Sequence, residues 1–381
     1  MDFQLSEEHS ILKQAVRSFA EKELKPKAAE YDRTRQYPYE NVKKAAELNL
    51  MGIMVPEQYG GGGMDTLSYS IAVEEVSRCC ASTGVIISAH NSLYCHPVQY
   101  FGTEEQKKKY LTPFAQGKKI GAFCLTEPNA GSDAGNQATT AVLKGDKYIL
   151  NGTKLFVTNG SAADAMVVFA ATDKEKKAHG ISAFIVEKGF SGVAKGKDEV
   201  KLGITCSGSC EIVLDNCEVP KENLLGKEGD GFKIAMNTLE EGRIGIASQA
   251  VGIAQAVLDE SINYSKARMQ FGKPIAEFQA IQWMLSDMAT EIEAARLLNY
   301  KAAATKESGK RYTLESSMAK LFSSEVAMKA AVKGVQIFGG YGYINEYPME
   351  RFFRDAKITE IYEGTSEVQR LIISSMILKG K

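Results

Sequence analysis

The sequence predicts an α+β protein of three successive blocks: a helical N-terminal block over residues 1–120, a β block over 121–228, and a helical C-terminal block over 229–381. Two observations carry this reading. Apolar residues recur at helical spacing in the outer blocks, and short β-branched and aromatic runs bounded by turn residues fill the middle. With 381 residues and a hydrophobic fraction of 44%, the chain can build a large core without disulfides.

The first helix is expected to start at Ser6, with Glu7 and Glu8 in its first turn, and to bury Ile11, Leu12, Ala15, Val16, Phe19 and Leu24 along one face before Pro26 ends it. Pro56 and the four glycines Gly60 to Gly63 mark a loop between helices. Tyr69 to Val76 and Gln106 to Phe114 read as further helical pieces. The texture changes near Gly121. Tyr148-Ile149-Leu150 and Leu155-Phe156-Val157 flank Asn151-Gly152, which predicts a hairpin there. Met166 to Phe169, Ala183 to Val186 and Ile212 to Leu214 read as buried strands, the last closed by Val219-Pro220. Past Gly231, long helices are expected around Ile246 to Val257, over Gln279 to Tyr300, and over Ser316 to Phe338, the last broken by Gly339-Gly340.

Composition narrows the function. The net charge is −1 and no block of five like charges occurs, so the basic footprint of a nucleic-acid binder is missing. No apolar run reaches membrane-spanning length, and Met1-Asp2-Phe3 leads straight into an amphipathic pattern, so neither a leader nor membrane insertion is expected. Seven scattered cysteines fit reduced thiols, and the expected place is the cytoplasm. Cys206 and Cys210 have no second pair or nearby histidine, so no metal site is expected. A Walker A loop and a G-x-G-x-x-G fingerprint are absent from the sequence.

Glu363 is the most informative residue. It precedes Gly364 on a tight turn, and Thr365 or Ser366 can cap the helix that follows, with Gln369 at capping-box spacing from Ser366. Val368, Leu371, Ile372 and Ile377 are expected to anchor that helix. Local sequence leaves two roles open for Glu363: a charge favourable to the helix dipole, or a carboxylate aimed at a substrate.

Three separated motifs decide more. Leu125-Thr-Glu-Pro-Asn-Ala-Gly-Ser-Asp133, Gln336-Ile-Phe-Gly-Gly-Tyr-Gly342 and Arg354 to Arg370 together resemble the acyl-CoA dehydrogenase family over the whole chain, most closely its short-chain, butyryl-CoA branch. The resemblance implies an N-terminal helical domain, a middle β-barrel-like domain and a C-terminal four-helix bundle. It implies FAD, an acyl-CoA substrate, a homotetramer built as a dimer of dimers, and electron transfer to an electron-transferring flavoprotein. Glu363 matches the family's catalytic base; some relatives carry the base at the position matching Gly242. Phe123, Leu125, Thr126, Gly131, Ser132, Phe156 and Thr158 match flavin contacts. Arg268, Gln270, Phe271, Gln279, Gln336, Gly339 and Gly340 match positions reaching the cofactor's diphosphate and adenosine end, largely from a neighbouring subunit. Thr365 and Glu367 match further flavin contacts, and Ser132, Glu240, Arg243 and Gly364 match substrate-binding positions. Many relatives have Trp in place of Phe156 and Gln in place of Glu367. The same resemblance leaves room for branched, cyclic or dicarboxylic acyl-CoA substrates, or for an oxidase.

Overall fold

The computed structural model describes residues 4–380. Residues 1–3 and 381 lie outside them, and with them the Met1-Asp2-Phe3 start and the outermost ends of the two helical blocks. The order is helical, β, helical.

Ser6 caps the Glu7–Phe19 helix by accepting from His9 N at 3.2 Å. Its buried stripe is Val16, Phe19, Ala20 and Leu24; Ile11 is 60% exposed and Ala15 is also exposed, one step off the face assigned to them. Pro26 does not end the helical path. A π turn at Ala20–Leu24 and a 3-10 turn at Lys25–Lys27 carry it into the Ala28–Thr34 helix, because proline near the start of a turn needs no N–H donor there. The loop around Pro56 and Gly60–Gly63 joins Tyr39–Glu47 to Thr66–Cys79. Behind it lies the Ala81–Ala89 helix, buried along its whole length and not anticipated from the sequence. A helix buried on every side carries no amphipathic stripe to read.

The middle block is an eight-stranded sheet. Its strands are β1 (Gly121–Cys124), β2 (Thr140–Lys144), β3 (Lys147–Val157), β4 (Ala165–Ala171), β5 (Ile181–Glu187), β6 (Val193–Asp198), β7 (Cys210–Pro220) and β8 (Leu224–Leu225). The order is β6-β7-β3-β2-β4-β5-β8, with β1 added in parallel beside β4. Every residue of β4 is buried. Val167 and Phe169 face the N-terminal helices, while Met166 and Val168 face the inner core of the sheet. The predicted hairpin at Asn151-Gly152 does not form. Those residues lie inside β3, where pairing with β7 slips between Leu150 and Gly152; the true turn is at Gly145, which has φ +65°. Asn151 spends its side chain across the bulge, accepting from Asn216 N at 2.7 Å.

His90 braces two blocks. Its Nδ1 accepts from Gly121 N at 3.1 Å and its Nε2 donates to Phe114 O at 3.0 Å. Burial pushes it down to about 4, so it is neutral and this tautomer is fixed.

The C-terminal block packs the helices Gly231–Ala267, Gln279–Glu307 and Thr313–Phe338 with the shorter Met349–Thr359. The first is buried for most of its length and also lies against Thr66–Cys79, so the outer blocks share one interior. The last helix, Ser366–Leu378, rests on Thr313–Phe338. Leu371 and Ile377, expected to anchor it, are 68% and 60% exposed; Ser366 and Gln369 are the buried residues there.

Candidate active site

The chain turns sharply at the end of Met349–Thr359. Glu363 has φ +52° and Gly364 φ +94°, so two consecutive residues are left-handed, a conformation costly for glutamate and easy for glycine. Thr365, rather than Ser366, caps the next helix, accepting from Val368 N at 3.2 Å. That frees Gln369 to donate to Gly364 O at 3.0 Å and Glu363 O at 3.3 Å. Lys320 Nζ, from Thr313–Phe338, donates to the same Gly364 O at 2.7 Å. The turn is therefore held from two helices.

This geometry drives the Glu363 side chain inward, toward the middle of Gly231–Ala267. The residue as a whole is only partly buried, yet Oε2 is sealed from solvent and has no hydrogen-bond partner. It stops against Gly242, where a Cβ would lie 1.8 Å from Oε2, so only glycine leaves room. Burial pushes the Glu363 carboxyl up to about 8, against the pull of Lys320 and Arg243. Arg243 is buried one residue on, with Nε unpartnered and its Nη1 3.4 Å from Ser317 Oγ. Burial weighs against its charge, and Glu240 and Glu363 offset that. Glu240 accepts a hydrogen bond from Thr313 Oγ1. Gly242→Ala is expected to push the Glu363 carboxyl off its position and to lower turnover about 100-fold, since a misplacement near 1 Å costs that much, and to lower the melting temperature, since the new Cβ must be accommodated against buried atoms; steady-state kinetics beside a thermal melt checks both.

A second group gathers at the β1 end of the sheet. Leu155 N donates to Thr126 O at 2.9 Å, tying the Leu125–Asp133 loop to β3. Phe123, Leu125, Thr126, Phe156 and Thr158 are thereby brought together, with Gly131 and Ser132 exposed farther along the loop. Phe156 has φ +56° and is 62% exposed; an aromatic residue held left-handed and open to solvent is strained for a use outside the core. Beneath the loop lies an ion pair that the sequence did not disclose. Lys154 Nζ meets Glu127 Oε1 at 2.7 Å, Gln137 Oε1 at 3.1 Å and Leu125 O at 3.2 Å, with no exposure of the lysine. Glu127 also accepts from Ala138 N at 2.5 Å and Thr139 N at 3.1 Å. Burial pulls against the charge on both groups, but three acceptors hold the ammonium, and Lys154 with these amides keeps the Glu127 carboxyl below its usual range.

A third group borders an open cleft of about 420 Å³ at the far end of the helical block. Arg268, Gln270, Gly339 and Gly340 line it; Phe271, Gln279 and Gln336 stand exposed outside its wall. The Arg268 guanidinium lies 5.4 Å from the Tyr341 ring centroid. A Cβ on Gly339 or Gly340 would meet nothing within 4 Å, so bare backbone faces open space. Phe271 is 93% exposed. None of the first two groups lines this cleft. Thr365 is half-buried at its helix cap and Glu367 is exposed on the next turn. Two exposed aromatic rings, open glycine backbone and an arginine are the chemistry a flat ring system and a diphosphate need, so the residues fit FAD. Among the described residues no cluster of His, Cys, Asp or Glu could hold a metal.

Family models for the acyl-CoA dehydrogenase N-terminal, middle and C-terminal domains match residues 6–118, 122–217 and 229–378. Fold, site and these matches define a FAD-dependent oxidoreductase. The chain belongs to the acyl-CoA dehydrogenase family. It is 56% identical over 379 residues to an "Acyl-CoA dehydrogenase, short-chain specific" of Clostridium acetobutylicum, covering 100% of both chains. The butyryl-CoA dehydrogenase structure from Megasphaera elsdenii superimposes with a TM-score of 0.97 at 49% identity, covering 99% of this chain and 100% of that one. A chain in a structure described as "Electron transferring flavoprotein of Acidaminococcus fermentans: Towards a mechanism of flavin-based electron bifurcation" gives a TM-score of 0.98 at 55% identity, covering 100% of both.

Proposed function

We propose that the chain oxidises a short-chain acyl-CoA, butyryl-CoA being the best fit, to the trans-2-enoyl-CoA, with Glu363 as the base and an electron-transferring flavoprotein as the electron acceptor. The observation that carries the base is the sealed, partnerless Oε2 of Glu363. Relatives named short-chain specific at 56% and 53% identity, and a neighbour named butyryl-CoA dehydrogenase, support the chain length. No helix of the described residues is long and apolar enough to cross a membrane; a place in the cytoplasm is part of this reading. The exposed Leu371, Ile377 and Leu378 accord with further burial in a homotetramer. Residues 1–120, 121–228 and 229–381 are taken as its three domains.

An α-proton of a thioester is only weakly acidic, so the base must be strong and dry. Water exclusion at Oε2 meets both needs: it raises the proton affinity of Glu363 and leaves the oxygen free to receive the proton. By the family resemblance, the Glu363 N–H would donate to the thioester oxygen as charge develops; one such donor contributes about 3–4 kcal/mol. Phe123, Leu125, Thr126, Gly131, Ser132, Phe156, Thr158, Thr365 and Glu367 would hold the flavin. Arg268, Gln270, Phe271, Gln279, Gln336, Gly339 and Gly340 would hold its diphosphate and adenosine end, mainly across a subunit boundary. FAD, when bound, supplies the acceptor for the β-hydride. Ser132, Glu240, Arg243 and Gly364 would position the CoA arm and the thioester.

Anaerobic titration with butyryl-CoA should bleach the oxidised flavin band, and octanoyl-CoA should bleach it less. A yellow protein unmoved by either would overturn the substrate. Because Glu363 must be ionised to act, kcat/KM should fall as pH drops through about 8. A limb near the ordinary glutamate range instead would refute the raised proton affinity of Glu363, and turnover retained in Glu363→Gln would refute the assignment of the base.

A further inference from the structure

We infer that Lys320 is a positioning residue for the base, fixing the Glu363–Gly364 turn through its hydrogen bond and setting the protonation of Glu363 through its charge. This rests on the reading of Glu363 as the base.

The placement of Lys320 is unusual for a lysine. It has no solvent exposure and is among the largest fully buried side chains, on a helix face otherwise made of Ser316, Ser317, Ala319, Ser323 and Ser324. A buried ammonium is costly unless several acceptors surround it. Among the described residues it makes a single hydrogen bond, and that bond ends on the carbonyl of the residue after Glu363. Stability alone would favour methionine here. The lysine is best explained by what its charge does to the carboxylate at the next residue.

Every charged or titratable group facing the pair bears on the outcome. Arg243 on Gly231–Ala267 acts on both Glu363 and Lys320; Tyr69 on Thr66–Cys79 and Tyr362 beside the turn face Glu363; Glu360 and Glu367 face Lys320. Burial pushes Lys320 down to about 8, and Glu363 is the group that most favours its charge. Lys320 and Glu363 thus titrate in one range and act as a pair. Arg243 and Lys320 bring two cations toward one carboxyl, and of the two only Lys320 also grips the turn. Protonated Lys320 favours ionised Glu363, so the base is available closer to neutral pH than burial alone would allow.

The test uses the holoenzyme and four variants. Lys320→Met removes charge and hydrogen bond. Lys320→Gln removes the charge and keeps an N–H donor one bond short of the lysine's. Lys320→Arg keeps the charge. Glu363→Gln is the reference for the base itself. The pH profile of kcat/KM with butyryl-CoA is measured for each, and the protonated carboxyl stretch of Glu363 is followed by infrared difference spectra, with Glu363→Gln identifying the band. Lys320→Met and Lys320→Gln should move the acidic limb upward by about 1–2 pH units, as expected for loss of a close opposite charge. Lys320→Arg should keep the original limb. An unmoved limb and carboxyl band in folded Lys320→Gln would overturn the inference, whatever the drop in rate. Turnover in Glu363→Gln would overturn the base instead, a separate result.

Discussion

Replacing Glu363 by Gln should lower turnover about 1,000-fold or more while the purified protein stays yellow, since a positioned general base contributes between about 10²- and 10⁴-fold. Gln matches the shape of Glu and leaves the turn intact, because the turn is held by bonds to the carbonyls of Glu363 and Gly364 rather than by the carboxylate. The same change should stabilise the protein. Folding raises the Glu363 carboxyl from its ordinary 4.5 to about 8. Below pH 4.5 the side chain is neutral folded or unfolded and the substitution changes little; between 4.5 and 8 the folded state is increasingly penalised for holding a proton the unfolded chain releases. The melting temperature of Glu363→Gln should therefore match the parent near pH 4.5, exceed it progressively up to about pH 8, and keep that margin beyond. A constant difference across this range would show that the carboxyl is not perturbed by folding.

Lys154→Met should carry the largest stability cost in the β block, about 3–5 kcal/mol, because it strands the buried Glu127 carboxylate without its cation. The loss should reach the cofactor too. Lys154 holds Leu125 O and Gln137 directly, and Glu127 holds the amides of Ala138 and Thr139, so both ends of the loop that carries Thr126, Gly131 and Ser132 hang on this pair. Chemical unfolding and FAD retention after gel filtration measure the two effects. Adding Glu127→Gln to Lys154→Met should recover part of the stability, since the stranded charge is gone; no recovery would mean that packing rather than charge sets the cost.

The fold was legible where one face of an element is buried and the other is wet. Val16, Phe19 and Leu24, or the hydrophobic runs of β4 and β5, announce themselves by period or by composition. Ala81–Ala89 is silent because it is buried all round. Asn151-Gly152 misleads because a turn dipeptide also suits a bulge, and the choice depends on β7, more than fifty residues away in sequence. The turn at Glu363 was legible, but the reason for its shape was not: Gln369 and Lys320 reach Gly364 O from two helices, and only folding brings them there. Lys154 and Glu127 look like surface residues in sequence.

Positions 242 and 363 compete for a single volume. A Cβ at 242 overlaps the carboxylate from 363, so the two addresses for a base are mutually exclusive rather than redundant. Acidic residues at both would collide in a water-free space, and glycine at both leaves no base at all. A glycine with no chemistry of its own is thus as firmly tied to the site as the acid it faces.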